Sequence, residues 1–227
     1  MSTGRRYEKE PKLNIKKIIG VIVAIGVIIM FIVSINTLLN KESSSKNVFE
    51  TAYFTAYKDG KWGVIDSQGK EIIKFEQQEY ITIPNNKKDV FILTTDVDLE
   101  SETYKTKVLN SKNEELFTKY SLVTAIDNYD ASGNISFEDN TLKVSLNGKY
   151  GLINFSGDEI LPCEYDDIYS LKGTNNSIII KKENNLGLAS STGDIIIKPE
   201  YKEIIALGQD YKDGYIVVNH EGRCGII

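Results

Sequence analysis

From about residue 52 onward, short apolar runs alternate with polar turns at the period expected of strands. Residues 59–73 set the pattern. Asp59-Gly60 reads as a tight turn and Trp62-Gly63-Val64-Ile65 as a strand. Asp66 then opens a second turn that Gly69 closes, and Ile72-Ile73 begins another strand. The order returns at residues 147–161, where Asn147-Gly148 precedes Tyr150-Gly151-Leu152-Ile153 and Asn154 and Gly157 frame the second turn. It returns again at residues 184–197, with Asn184-Asn185 as the turn, Leu186-Gly187-Leu188-Ala189 as the strand, and Ser190 and Gly193 around the second turn. Glu221-Gly222-Arg223-Cys224-Gly225-Ile226-Ile227 repeats the opening half. The dipeptides tolerate the positive φ that tight hairpins need, and Gly69, Gly157 and Gly193 are expected to be left-handed.

A degenerate copy lies between the first and third units. Residues 108–117 match residues 64–73, with Asn113 in place of the turn glycine and Lys107 in place of the glycine after the aromatic. Successive units are then about 44, 44, 36 and 38 residues apart, a spacing of small repeat modules. The longer spacings absorb extra polar segments around residues 85–105 and 128–140. A Glu-Tyr-x-x-Ile motif ends the first, third and fourth units, from Glu79-Tyr80 to Ile83, Glu164-Tyr165 to Ile168 and Glu200-Tyr201 to Ile204. The ring is expected to cap its unit, leaving the carboxylate in solvent.

The N-terminal fifth has a different pattern. Residues 1–17 are polar and basic, a cytosolic tail. An uncharged apolar run starts at Ile18 and lasts about 18 residues, roughly 27 Å of helix, and Leu38 and Leu39 extend it. Residues 18–39 are therefore expected to be a transmembrane signal-anchor helix, contacting the membrane from Ile18 through Leu39. A cleaved signal peptide would have a shorter run followed by a small-residue site, where this chain has Ser34-Ile35-Asn36-Thr37. Arg5, Arg6, Lys9, Lys12, Lys16 and Lys17 precede the run, against Glu8 and Glu10. That bias places the N-terminus in the cytoplasm and the repeats outside. Residues 40–51 form a polar linker, and residues 52–227 the ectodomain.

The units resemble the bacterial WG repeat, marked by Trp-Gly, aliphatic residues and a glycine turn. The first unit carries Lys61-Trp62-Gly63-Val64-Ile65-Asp66 and Gly69-Lys70, while later units place Tyr150, Leu186 and Cys224 in the Trp slot. The resemblance implies an all-β repeat protein, often exported or membrane-attached, and no catalytic residues. The expected fold is thus an array of β-hairpin units, propeller-like or superhelical, after an N-terminal transmembrane helix.

Charge and candidate chemistry narrow the function. The basic flank carries +4 of a chain whose net charge is −5, which leaves −9 on the remainder. An acidic body repels nucleic acid and anionic wall polymers. Cys163 and Cys224 are read as two small buried hydrophobes, with a single bridge as the alternative. Trp62 and Tyr150 form either a ligand platform or core between units, and Leu186 and Cys224 in the same slot favour core. Asp96, Asp98, Glu100 and Glu102 alternate with Val97 and Leu99, as in an amphipathic strand with outward charges. They lack the glycine and spacing of a calcium loop. The single histidine, His220, makes a nucleophile–base triad improbable. No pair of carboxylates stands out for glycan cleavage, and neither phosphate-loop nor zinc spacing is present. No catalytic or metal-ligating residue and no cofactor is assigned, and the binding residues stay unidentified. The sequence points to a membrane-anchored, extracytoplasmic, non-catalytic binding or scaffolding module for a protein or cell-wall partner. The alternatives are a cell-envelope glycan-acting enzyme or the sensor end of a membrane complex.

Overall fold

The computed structural model of the chain describes residues 52–129 and 132–227. The basic tail, the apolar span 18–39 and the linker to residue 51 lie outside the described residues. Among the described residues no helix is long and apolar enough to cross a membrane.

The described residues fold into five antiparallel sheets in chain order. The first holds β1 (Tyr53–Lys58), β2 (Lys61–Asp66) and β3 (Glu71–Gln77). The second holds β4 (Ile81–Thr82), β5 (Phe91–Asp98), β6 (Thr103–Leu109) and β7 (Glu115–Leu116). The third holds β8 (Leu122–Tyr129), β9 (Ile135–Leu146), β10 (Lys149–Ile153) and β11 (Glu159–Tyr165). The fourth holds β12 (Asp167–Ser170), β13 (Ile178–Lys182), β14 (Asn185–Ala189) and β15 (Ile195–Tyr201). The fifth holds β16 (Glu203–Ala206), β17 (Tyr215–Val218) and β18 (Cys224–Ile226), with one 3-10 turn at Tyr211–Asp213. Each strand pairs with its neighbours in sequence, so every sheet is a meander.

The sheet boundary falls inside the Glu-Tyr-x-x-Ile motif. Tyr165 ends β11 and Ile168 lies in β12; Tyr201 ends β15 and Ile204 lies in β16. Glu164 and Glu200 are exposed, as expected, while Tyr165 is buried and Tyr201 half-buried. In the first unit the expected alignment slips. Gln77 stands opposite Trp62, where Tyr165 and Tyr201 stand opposite Tyr150 and Leu186. Tyr80 falls in the connection, and Ile81 rather than Ile83 is fully buried.

The turns follow their local chemistry. Asp59-Gly60 and Asn147-Gly148 have positive φ at both residues, as a two-residue hairpin of the primed type requires. In the fourth sheet the turn is Glu183-Asn184, one residue earlier than expected, because Asn185 already pairs with Lys182. Gly69, Gly157 and Gly193 are left-handed, and Asn113 takes the same conformation at φ 60°. The residue that opens each second turn bonds its backbone. Asp66, Asn110 and Asn154 Oδ1 each accept two backbone N–H bonds, and Ser190 Oγ does the same. The fifth unit departs from the expected Glu221-Gly222 turn. Asn219 builds a longer one, accepting from the backbone N–H groups of Glu221 and Arg223, with Gly222 left-handed.

The glycine after the aromatic slot has a non-local cause. A methyl on Gly63, Gly151 or Gly187 would lie 2.8, 2.6 or 2.6 Å from the carbonyl oxygen of Ile73, Leu161 or Ile197 on the next strand. Each of these pairings carries a register shift just there, which brings the backbones together. Phe75, Cys163 and Pro199 crowd the same three glycines. In the second sheet β7 is two residues long and pairs without a shift, so Lys107 fits in the glycine's place.

Among the described residues four apolar clusters form the core, each a seam between consecutive sheets. Val64 and Ile73 meet Ile81, Phe91 and Leu93. Ile92 and Val108 meet Val123, Leu142 and Val144. Leu152 and Leu161 meet Ile168, Ile178 and Ile180. Ile179 and Leu188 meet Ile204, Tyr215 and Val217. Central strands serve two seams by alternation. Ile178 and Ile180 face the third sheet, while Ile179 between them faces the fifth. These strands therefore read as continuous apolar runs rather than as alternating ones.

The acidic run departs from the expected amphipathic strand. β5 ends in an irregularity between Thr95 and Asp98, with Asp96 at φ 51°, and Val97 and Leu99 both face solvent. Asp98 caps the hairpin by accepting from the backbone N–H groups of Glu100 and Ser101 and from Ser101 Oγ. These bonds to the ionised form hold its carboxyl below the ordinary aspartate range. Asp96 pairs with Lys105 at 3.0 Å. Turn formation outweighed alternation at this tip.

Candidate ligand clefts

The two segments that lengthen the early units build two clefts. The first extends the β5–β6 hairpin, and the second extends β8 and β9 to the pair Tyr129 and Ile135. In the second segment Ala125 pairs with Leu142 but Asp127 pairs with Phe137. Residues 138–141 therefore bulge from the sheet opposite Ile126 alone. Such a bulge re-aims side chains that a regular ladder would alternate between faces.

One cleft, about 450 Å³, lies between the β5–β6 and β8–β9 hairpins. Thr82, Thr94, Thr106 and Thr124 line it together with Val97, Tyr104 and Phe137. Thr106 Oγ1 accepts from the Val123 N–H at 2.9 Å, tying the edge of β8 to the preceding sheet. The other cleft, about 470 Å³, lies between the β8–β9 hairpin and the loop before β13. Its β9 wall carries Phe137, Glu138, Asp139 and Asn140, and its facing wall carries Asn175, Asn176 and Ser191. Both volumes fall in the range of roughly 300–1,000 Å³ usual for small-ligand pockets.

Asn128 pins the second cleft together. It is buried, and its Nδ2 donates to Glu138 Oε1 at 2.8 Å and to the Thr174 carbonyl at 3.2 Å. Its Oδ1 accepts from the Gly173 N–H at 2.9 Å and the Tyr129 N–H at 2.8 Å. All four hydrogen-bonding positions of the amide are in use, so it is structural. Glu138 is only 8% exposed, and burial raises its carboxyl above the ordinary glutamate range against the opposing Asn128 bond. At the rim Lys172 Nζ lies 2.8 Å from Asp127 Oδ2 and 5.4 Å from the Tyr129 ring centroid. The lysine's hydrogen bond holds the Asp127 carboxyl low.

Asn140 shows how the repeat was diverted. Asp89 and Asn176 occupy the same place two residues before Phe91 and Ile178, as Asn140 does before Leu142. Asp89 accepts from Ser111 and Asn176 from Ser191, each clamping the second turn of its own unit. The third unit has Phe155 where those serines stand, so no side-chain hydroxyl is there to clamp, and Asn140 lines the cleft instead. That loss of an Asp/Asn–Ser pairing at fixed spacing is the sequence signal that marks the site. Glu138 has no such signal, because its burial depends on the bulge.

The residues singled out from sequence fall elsewhere. Trp62 is half-buried rather than enclosed between units. It packs on the first seam and lies between Tyr57 at 4.8 Å and Tyr80 at 4.9 Å, centroid to centroid. Those tyrosines are 60% and 52% exposed, so the slot caps a seam at its edge. Tyr150 and Leu186 do the same on later seams, and Lys143 Nζ sits 4.2 Å from the Tyr150 centroid. Cys163 and Cys224 are both free. Cys163 is half-buried over Gly151, and Cys224 is exposed on β18, contrary to the expectation of burial. His220 Nε2 lies 2.6 Å from Asn185 Oδ1 on the exposed surface. Among the described residues no group of His, Cys, Asp and Glu is arranged to hold a metal.

Comparison with known proteins adds the family. The family model described as WG containing repeat matches residues 62–76, 150–185 and 187–224. No curated protein and no solved structure matches the chain. The matched segments cover most of β2 and β3 and the run from β10 through β17, while the two cleft-building extensions lie outside them. Over those segments the chain is similar to WG-containing repeats.

Proposed function

We propose that the chain is a membrane-anchored, extracytoplasmic binding module whose repeats form a propeller-like or superhelical scaffold for clefts that hold a partner. The observation that carries this reading is the origin of the clefts. Both are built by the segments that interrupt the repeat, and insertions in repeat proteins commonly serve the binding face. The uncharged run from Ile18 and its basic flank support the anchor and its orientation. Protease added to intact, wall-stripped cells should digest the repeats and spare the N-terminal tail; complete protection of the repeats would overturn the orientation. Crosslinking in intact cells, followed by identification of what is captured, should recover a protein or wall component. Equal capture by a chain with both extensions cut back to the fourth-unit length would remove the clefts from the account.

A second reading has one observation in its favour. A general acid for glycan cleavage needs a raised carboxyl, and burial raises Glu138 beside the exposed Asp139. Release of reducing ends from wall glycan by the full chain, abolished in Glu138→Gln, would favour this enzyme over the binding module.

A further inference from the structure

We infer that the cleft between the β8–β9 hairpin and the loop before β13 binds a neutral, polyhydroxylated ligand, a saccharide. The inference rests on the binding-module reading and names the ligand class for one of its clefts. Its two walls differ in kind. The carboxyl groups of Glu138 and Asp139 lie on the β9 wall, while the facing wall offers the amides of Asn175 and Asn176. Asn176 Oδ1 is taken by Ser191, so its Nδ2 is the group left to donate. A hydroxyl donates once and accepts twice, and a ring bearing several can satisfy both walls at once. A cation would need several acceptors on both sides, and on the facing wall Asn176 Oδ1 is already taken by Ser191, with no carboxylate among the described residues of that wall. An anion would meet two carboxyl groups, and the rim lysine, Lys172, is already paired with Asp127.

Apolar surface completes the match. Phe137 and Tyr129 border the polar groups, and an aromatic face suits the C–H face of a pyranose. Glu138 is held in place by Asn128, so its orientation is fixed before a ligand arrives. Asn140 makes no clamp of the kind Asp89 and Asn176 make, and it sits on the same wall. A preorganised acceptor with adaptable amides around it reduces the ordering that binding demands.

The test is calorimetric titration of the full chain with chitotetraose and with cellotetraose, using calcium chloride and lysine as competing probes. At least one saccharide should bind. Glu138→Gln keeps the shape and the acceptor for Asn128, yet removes the charge-assisted acceptor, so affinity should fall about tenfold or more. Phe137→Ala should weaken binding as well, whereas Val97→Thr in the other cleft should leave it unchanged. Saccharide binding equal in Glu138→Gln and the natural chain would place the ligand elsewhere and overturn the inference. Binding of calcium or lysine with no saccharide binding would overturn it in favour of a cation site. If neither saccharide binds while cellular capture still needs the extensions, the saccharide assignment falls and the binding module stands.

Discussion

Alanine at the glycine that follows the aromatic slot should have opposite effects in different units of the same repeat. At Gly151 and Gly187 the added methyl would sit 2.6 Å from a carbonyl oxygen. That carbonyl belongs to a strand held by its ladder, so it has little freedom to retreat. Overpacking of this kind costs roughly 1–3 kcal/mol, and a backbone obstacle places these sites in the upper half. Lower unfolded-state entropy of alanine returns about 0.4–1 kcal/mol, leaving a net loss on the order of 1–2 kcal/mol. Gly225 lies in the same slot position, but its methyl would meet only Val217 Cγ2 at 3.7 Å, an ordinary contact. There the entropic gain acts alone, and Gly225→Ala should be neutral or slightly stabilising. Urea unfolding of the full chain by far-ultraviolet circular dichroism gives the sign. Hydrogen exchange should locate the loosened ladder at β10–β11 or β14–β15. Equal losses at Gly151, Gly187 and Gly225 would show that strand propensity, not the close approach, selects glycine. Lys107→Gly supplies the converse: with β7 short and unshifted, it should gain nothing.

The turn glycines should rank by what surrounds them. Gly69→Ala meets only the left-handed backbone penalty, about 1 kcal/mol, because nothing lies near its added methyl. Gly157→Ala also meets the Phe117 ring at 3.1 Å and Gly193→Ala the Ile160 carbonyl at 2.7 Å, so unfolding midpoints should fall in the order Gly69, Gly157, Gly193. Trp62 emission should be intermediate in wavelength and in acrylamide quenching, shifting red in Tyr57→Ala and Tyr80→Ala; a fully blue, unquenched signal would contradict the edge position. The Glu138 carboxyl is raised, so the folded state keeps a proton that the unfolded state has lost, and stability from this group declines as pH rises from the unfolded value through the folded one. Glu138→Gln should therefore gain stability relative to the natural chain as pH rises above the ordinary glutamate value. A relative loss above that value would refute the burial of an ionisable carboxyl there.

The parts of this fold that were legible in the sequence are those governed by local chemistry. Gly69, Gly157, Gly193 and Asn113 declare left-handed turns because φ is a property of one residue, and all four adopt it. Asp66, Asn154 and Ser190 declare themselves by a side chain short enough to reach its own turn. The errors arise where two strands must agree. Asn184-Asn185 is the better turn former by local chemistry, yet the pairing of Lys182 with Asn185 puts the turn at Glu183-Asn184. Asp96, Val97, Asp98 and Leu99 alternate convincingly, yet alternation matters only if a seam receives the apolar face, and Leu99 is 86% exposed. Cys224 and Trp62 share a slot in sequence but not an environment. The slot is covered by whatever follows it, and Trp62 is flanked by Tyr80 from its own unit's connection.

The clefts were the least legible feature for a reason that bears on how such an array acquires a function. A repeat unit here is constrained on both faces, since Ile179 and Ile180 in one strand already serve opposite seams. Almost any functional polar group placed on such a strand would fall into a seam and lose its hydration, at roughly 1–3 kcal/mol if unpaired. Chemistry can enter only where the ladder is interrupted. Residues 138–141 meet that condition, opposing Ile126 alone and bringing Glu138 and Asn140 out of register with the apolar positions around them. Asn128 then ties the interruption to the next sheet through Gly173 and Thr174, so the extension is fixed rather than loose. The residues that carry the repeat pattern are those that stack one unit on the next. The residues proposed to bind are those that break that pattern, and their specificity should vary with the extensions while Gly63, Gly151 and Gly187 stay fixed by the backbone.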